Sequence, residues 1–295
     1  MAVSSDSVSG FRLAYDRLGG PGPSVVLLHG WPGDRRDFRA VVPLLADHAD
    51  LVIPDLRGFG ESDKHSGDPA ELYSAAAQAR SVAALIDELG LDRPGVAGYD
   101  IGSRIGQTLA RQRPELVSAL VVSPPLPGIG DRILAPEHQR EFWYQAFHGL
   151  PLADELLDGR PDAVRAYLRH FWNHWSGPEF AIDDADLEHL VARYGRPGAF
   201  TASTAWYRAS AGAVAVSLAE TRPEPDERIS IPTTVLWPEH DPLFPYAWSD
   251  RLCEFFVDVT VHPLSRAGHF TPVEAPEQFA AAVRDSLGRR PDHQS

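Results

Sequence analysis

The chain has 295 residues, 43% of them hydrophobic, which suffices for a sizeable core in one domain carrying an insertion. Its formal net charge of −14, from 41 acidic against 27 basic residues without a like-charged block, argues against nucleic acid and an anionic membrane surface as partners. One cysteine, Cys253, excludes an intramolecular disulfide framework; no apolar run approaches the roughly 18–20 residues of a membrane span, and MAVSSDSVSGF lacks both halves of a signal peptide, so the expected location is cytoplasmic.

In chain order, apolar β-branched runs at Ser24–Leu28, Asp50–Ile53, Val96–Ala97, Ala119–Val122, Thr233–Trp237 and Val257–Val261 predict buried parallel strands. Helix-period segments fall between and after them, at Asp37–Leu45, Ser74–Leu89, Ile101–Gln112 and Pro276–Leu287. This alternation predicts an α/β architecture. From about Pro125 to Arg222 the strand pattern lapses. One apolar stripe there runs through Ala163, Val164, Tyr167, Leu168, Phe171, Trp172 and Trp175, and another through Leu187, Leu190, Val191 and Tyr194, which predicts an inserted helical cap. The polar tail Gly288–Ser295 is expected to be disordered.

The most informative run is Gly98-Tyr99-Asp100-Ile101-Gly102, a strand–turn–helix sequence whose projecting residue is a carboxylate. A carboxylate that attacks an electrophilic carbon makes an ester, so its natural substrates are alkylating agents such as epoxides or alkyl halides. That ester is a dead end unless a base activates water against it. Histidine suits this task near neutral pH, and His269, in a Gly-led loop after the last strand, stands where catalysts collect in open α/β sheets. Asp241, after the preceding strand, is the candidate to orient His269; alone, Asp241-Pro242 would read as a turn. The order Asp100, Asp241, His269 tips the balance. The backbone N–H groups of Trp31, in His29-Gly30-Trp31-Pro32, and of Ile101 are the candidate oxyanion hole, although the first segment also reads as a turn with a cis Trp31-Pro32 bond. For Asp55 to Ser62, a strand-exit loop, the reading is structural.

Together HGWP, DLRGFGES, GYDIG, EHDPLFP and GHF resemble the α/β-hydrolase superfamily, in its Asp-nucleophile branch, from about Phe11 to Leu287. That branch holds epoxide hydrolases, haloalkane dehalogenases and haloacetate dehalogenases. The resemblance implies a mostly parallel central sheet with flanking helices: a core at 1–128 and 222–295 and a helical cap at 129–221. In epoxide hydrolases two cap tyrosines donate to the oxygen released as the ring opens. Trp143-Tyr144-Gln145 and Trp206-Tyr207-Arg208 resemble the segments that carry them, although both tyrosines also read as aromatics filling a cap.

The sister families fit less well. Haloalkane dehalogenases carry a Trp where this chain has Ile101, as do many epoxide hydrolases, and haloacetate dehalogenases hold the substrate carboxylate on two Arg close after the nucleophile, of which only Arg104 has a counterpart. Arg104 reads more readily as a helix residue paired with an acid. Trp143, Trp206 and Arg104 are the candidate substrate-binding residues. The resemblance therefore implies a cofactor-independent epoxide hydrolase forming a vicinal diol from an apolar or aromatic epoxide and water. His170 and His174 form an i, i+4 pair with no acidic third ligand at helical spacing, so no metal site is expected. The rivals are a haloacetate-type or haloalkane-type dehalogenase and a non-catalytic binding protein. No oligomeric state follows from the sequence.

Overall fold

The computed structural model describes residues 3–288. The expected tail beyond Gly288 lies outside them. Eight strands form one sheet: β1 (Val3–Ser4), β2 (Ala14–Leu18), β3 (Ser24–Leu28), β4 (Asp50–Pro54), β5 (Gly95–Gly98), β6 (Ala119–Val122), β7 (Thr233–Pro238) and β8 (Val259–Leu264). Their spatial order is β1-β2-β4-β3-β5-β6-β7-β8, antiparallel at the β1–β2 and β2–β4 pairs and parallel elsewhere. β3 to β7 are almost wholly buried, which is why they read as continuous apolar runs.

Helices cover the sheet on two sides. Consecutive strand residues point to opposite faces, and a Cβ on Gly95 would meet Leu287 of helix Pro276–Gly288 while Val96 lies against Gly106 of helix Asp100–Gln112. Helix Ala75–Glu88 packs beside the latter, starting where the Ser74 hydroxyl caps the Ala77 N–H at 3.4 Å. It buries Val82, Leu85 and Ile86.

Three expectations need correction. The segment 37–45 is no single helix: a 3-10 turn, Arg35–Phe38, capped by Asp34, precedes a short helix, Val42–Leu45. Pro43 has no N–H to continue an upstream helix and sits instead near a helix start. The last strand begins at Val259 and not at Val257, which is 57% exposed, and it runs on to Leu264. Strand β2, AYDRL, was not expected; it lies toward the sheet's edge with only its first two residues buried, so it shows no apolar run.

Between β6 and β7 the chain forms seven α-helices, from Pro136–Glu141 to Ala213–Ala219. They are tied to the core loops. Trp172 Nε1 donates to Pro32 O at 2.9 Å, the Tyr194 hydroxyl donates to Gly33 O at 2.7 Å, and the Trp172 ring stacks on Phe270 at 3.8 Å. In β3–β5 Leu28 pairs with Gly98, and in β7–β8 Pro238 pairs with Leu264. These registers bring the loops after four parallel strands to one end of the sheet.

Candidate active site

At that end Asp100 opens its helix with φ of +48°, a left-handed backbone that few residues with a side chain adopt. The flanking glycines let the turn close. A Cβ on Gly102 would lie 2.0 Å from Leu28 O, and one on Gly30 would lie 2.6 Å from the Asp100 Cβ. The Trp31 N–H donates to Asp100 Oδ2 at 2.8 Å. Ile101 sits in the first turn of the helix, where an N–H has no intrahelical acceptor.

His269 Nδ1 lies 2.8 Å from Asp241 Oδ2, and the other oxygen of Asp241 accepts the Leu243 N–H at 2.8 Å. His269 Nε2 stands 3.6 Å from Asp100 Oδ1, too far for a hydrogen bond but close enough for its charge to be felt. The structure thus brings the three residues together. The loop is held by Glu274, whose carboxylate accepts the N–H groups of Gly177 (2.6 Å), Gly268 (2.9 Å) and Phe270 (3.0 Å).

Burial disfavours a charged His269, but the carboxylates of Asp241 and Asp100 outweigh it and push the imidazole up from 6.5 to about 10. The folded protein therefore binds this proton more tightly than the unfolded chain does. That stability is complete below pH 6.5 and is lost as pH rises toward about 10. Thermal unfolding of the wild type should accordingly show a falling midpoint across this window. Asp100→Asn, which removes one of the two carboxylates, should flatten the fall; an equal slope in both proteins would mean that Asp100 does not act on His269.

Opposite Asp100 stand two phenols from the inserted helices, Tyr144 of Trp143–His148 and Tyr207 of Ala199–Arg208, their ring centroids 5.5 Å apart. Burial, joined by the charge of Asp100, raises both far above the ordinary tyrosine value, so both keep their protons. Gln145 Nε2 donates to the Tyr144 hydroxyl at 3.1 Å, which leaves that hydroxyl's own proton free to be donated elsewhere.

Asp100, Ile101, Tyr144, Trp206, Tyr207 and Phe244 line one cavity, whose free volume of about 10 Å³ is what a single water needs. Trp206 reaches it. Trp143 does not line it: the residue is 44% exposed and its ring stacks on Phe171 at 5.9 Å. Nor does Arg104, which faces a separate cleft. Phe244 and Gln145 lie within the quoted EHDPLFP and Trp143-Tyr144-Gln145 segments, yet neither an amide nor a phenylalanine announces a role there. His148 was missed as well: it is fully buried, 4.9 Å from both the Trp31 and Tyr207 rings, and burial holds it neutral. Its place, one helical turn after Tyr144, was the available signal.

Such an arrangement can attack an electrophile with a carboxylate, donate protons from the opposite side and activate a water. Residues 23–276 match the alpha/beta hydrolase fold family. The chain is 28% identical over 285 residues to a soluble epoxide hydrolase from Corynebacterium sp. (strain C12), covering 92% of this chain and 91% of that one. It is 31% identical over 198 residues to a fluoroacetate dehalogenase from Burkholderia sp., covering 65% and 64% respectively. Among solved structures it superposes on ALR0039 of Nostoc sp. PCC 7120 with a TM-score of 0.86 at 26% identity, 98% of each chain being covered. On the epoxide hydrolase CorEH the TM-score is 0.82 at 25% identity, covering 97% of this chain and 98% of that one. Its eight-stranded, mostly parallel sheet with flanking helices and its match to the family model make the chain a member of the α/β-hydrolase fold family, with an epoxide hydrolase and a dehalogenase among its relatives.

Proposed function

We propose that the protein is an epoxide hydrolase that forms a vicinal diol through an ester on Asp100. The observation that carries this reading is the pair of protonated phenols, Tyr144 and Tyr207, which line one small cavity with the Asp100 carboxylate. With Oδ2 engaged by the Trp31 N–H, Asp100 Oδ1 attacks an epoxide carbon and the ring C–O bond breaks. The electron pair goes to the ring oxygen, which takes a proton from a phenol. Forming the ester removes the Asp100 charge, so His269 gives up its proton more readily; that proton restores the phenol through solvent, and the neutral imidazole becomes the base that deprotonates water. Hydroxide adds to the ester carbonyl and the oxyanion is met by the Trp31 and Ile101 N–H groups; collapse breaks the ester C–O bond, the departing diol oxygen takes the proton held by the His269 imidazolium, and the Asp100 carboxyl then returns its own proton to the imidazole.

In this reading 129–221 act as a cap on a core made of 1–128 and 222–295. Phe244, Trp206 and the alanines Ala211 and Ala213 favour an apolar or aromatic epoxide, and any substrate must push these walls apart. The epoxide hydrolase relative matched over most of its length agrees with the assignment. The test is a panel of styrene-like, aliphatic and polycyclic epoxides beside fluoroacetate and chloroacetate, with diol and halide both quantified. Diol from at least one epoxide is expected. Halide release from the haloacetates with no diol from any epoxide would make the protein a dehalogenase.

A further inference from the structure

Helix Asp100–Gln112 presents a second feature on its far side. Arg104 and Arg111, seven residues apart on one face, line a cleft of about 770 Å³ between this helix and the inserted helix Ala213–Ala219. Arg104 is 9% exposed, and its Nε is buried without an acceptor. No acid among the described residues forms an ion pair with it, although Glu220 lines the same cleft and its charge acts on Arg104. Both oxygens of Glu220 accept the Gly128 N–H at 2.9 Å, and Glu254 lies 3.8 Å from Arg222. Arg228 is satisfied by the carbonyls of Pro225 and Cys253, each at 3.2 Å. Burial, against the charge of Glu220 and helped by the repulsion of Arg111, pulls Arg104 down to about 10, so it stays charged at neutral pH. A buried guanidinium whose Nε has no acceptor, beside a second guanidinium and with Glu220 acting on it only through its charge, gains from an anion that joins the two.

We propose that this cleft binds a small anion, a carboxylate or a phosphate, on the guanidiniums of Arg104 and Arg111. Arg presents a planar fork of donors that matches either group. The walls at Pro127, Val216, Ala219 and Phe255 are apolar, which favours an anion carrying a short hydrocarbon body. Glu220, Asp226 and Glu227 line the same cleft and disfavour a long polyanion. The cleft is distinct from the cavity at Asp100 and the proposal does not depend on the epoxide reading.

The test is isothermal titration of the full chain with inorganic phosphate and with benzoate, in chloride at fixed ionic strength. Saturable one-to-one binding of at least one anion is expected with Kd below about 1 mM. Tighter benzoate assigns the cleft to organic carboxylates, and tighter phosphate assigns it to phosphate esters. Arg111→Gln, at an exposed position, should weaken binding about tenfold, the loss of one charge-assisted hydrogen bond, and Arg104→Gln with Arg111→Gln should abolish it. If the buried substitution unfolds the protein, the Arg111→Gln comparison stands alone. Absence of saturable binding by both anions, or an unchanged Kd in Arg111→Gln, overturns the proposal.

Discussion

A His269→Gln protein is expected to consume about one equivalent of epoxide rapidly and then stall. In the proposed reaction attack by Asp100 needs no base, because the carboxylate is already a nucleophile and the proton for the opened ring comes from Tyr144 or Tyr207. Hydrolysis does need one: water is too weak a nucleophile toward an ester unless its proton is taken as it attacks. Glutamine keeps much of the size and polarity of the imidazole but cannot accept that proton. Steady-state turnover should therefore fall by about 10²–10⁴, the range of general-base catalysis, while the burst survives. Rapid-quench product analysis checks this. Turnover at the wild-type rate would mean that another group serves as base.

The second large effect is expected at the phenols. Negative charge on the epoxide oxygen grows only as the ring opens, so hydrogen bonds from Tyr144 and Tyr207 act on the transition state far more than on bound substrate. Removing either hydroxyl, as Tyr144→Phe or Tyr207→Phe, leaves its neighbour donating, and alkylation of Asp100 should slow by roughly 10- to 10³-fold. Removing both should nearly abolish it. Both tyrosines sit among aromatic neighbours that phenylalanine can also satisfy, with Trp31 stacked on Tyr144 at 5.8 Å, so the variants should remain folded. Pre-steady-state ester formation is the readout. An unchanged alkylation rate in Tyr144→Phe, together with halide release from a haloacetate, would point to a dehalogenase, in which a halide leaves as an anion and Tyr144 is nearly dispensable.

The parts of the fold visible in the sequence are those in which burial on both faces writes itself as an apolar run. β3, β5 and β6 were legible for that reason, and Asp100 was legible because its left-handed turn demands glycine on both sides. β2 was hidden because a strand with one exposed half carries the mixed pattern AYDRL. The triad candidates were reachable through position after strands, since the parallel registers gather loop ends whatever the loops contain.

Long-range polar anchors left no such trace. Glu274 precedes the predicted helix Pro276–Leu287 with no signal of its own, yet it accepts three N–H groups from two loops around His269. Arg104 reads as a helix residue paired with an acid or as a substrate ligand. Its placement in a cleft away from Asp100, with its Nε unpaired, depends on how the helix Ala213–Ala219 packs, which no local pattern encodes.

The central claim is that Asp100 itself becomes esterified, and peptide mass mapping of stalled His269→Gln protein tests it most directly. The account predicts that the peptide containing Asp100 gains the full mass of the epoxide, with fragmentation placing the adduct on Asp100 and little diol released. Diol formation with an unmodified Asp100 peptide, or an adduct on any other residue, would contradict it.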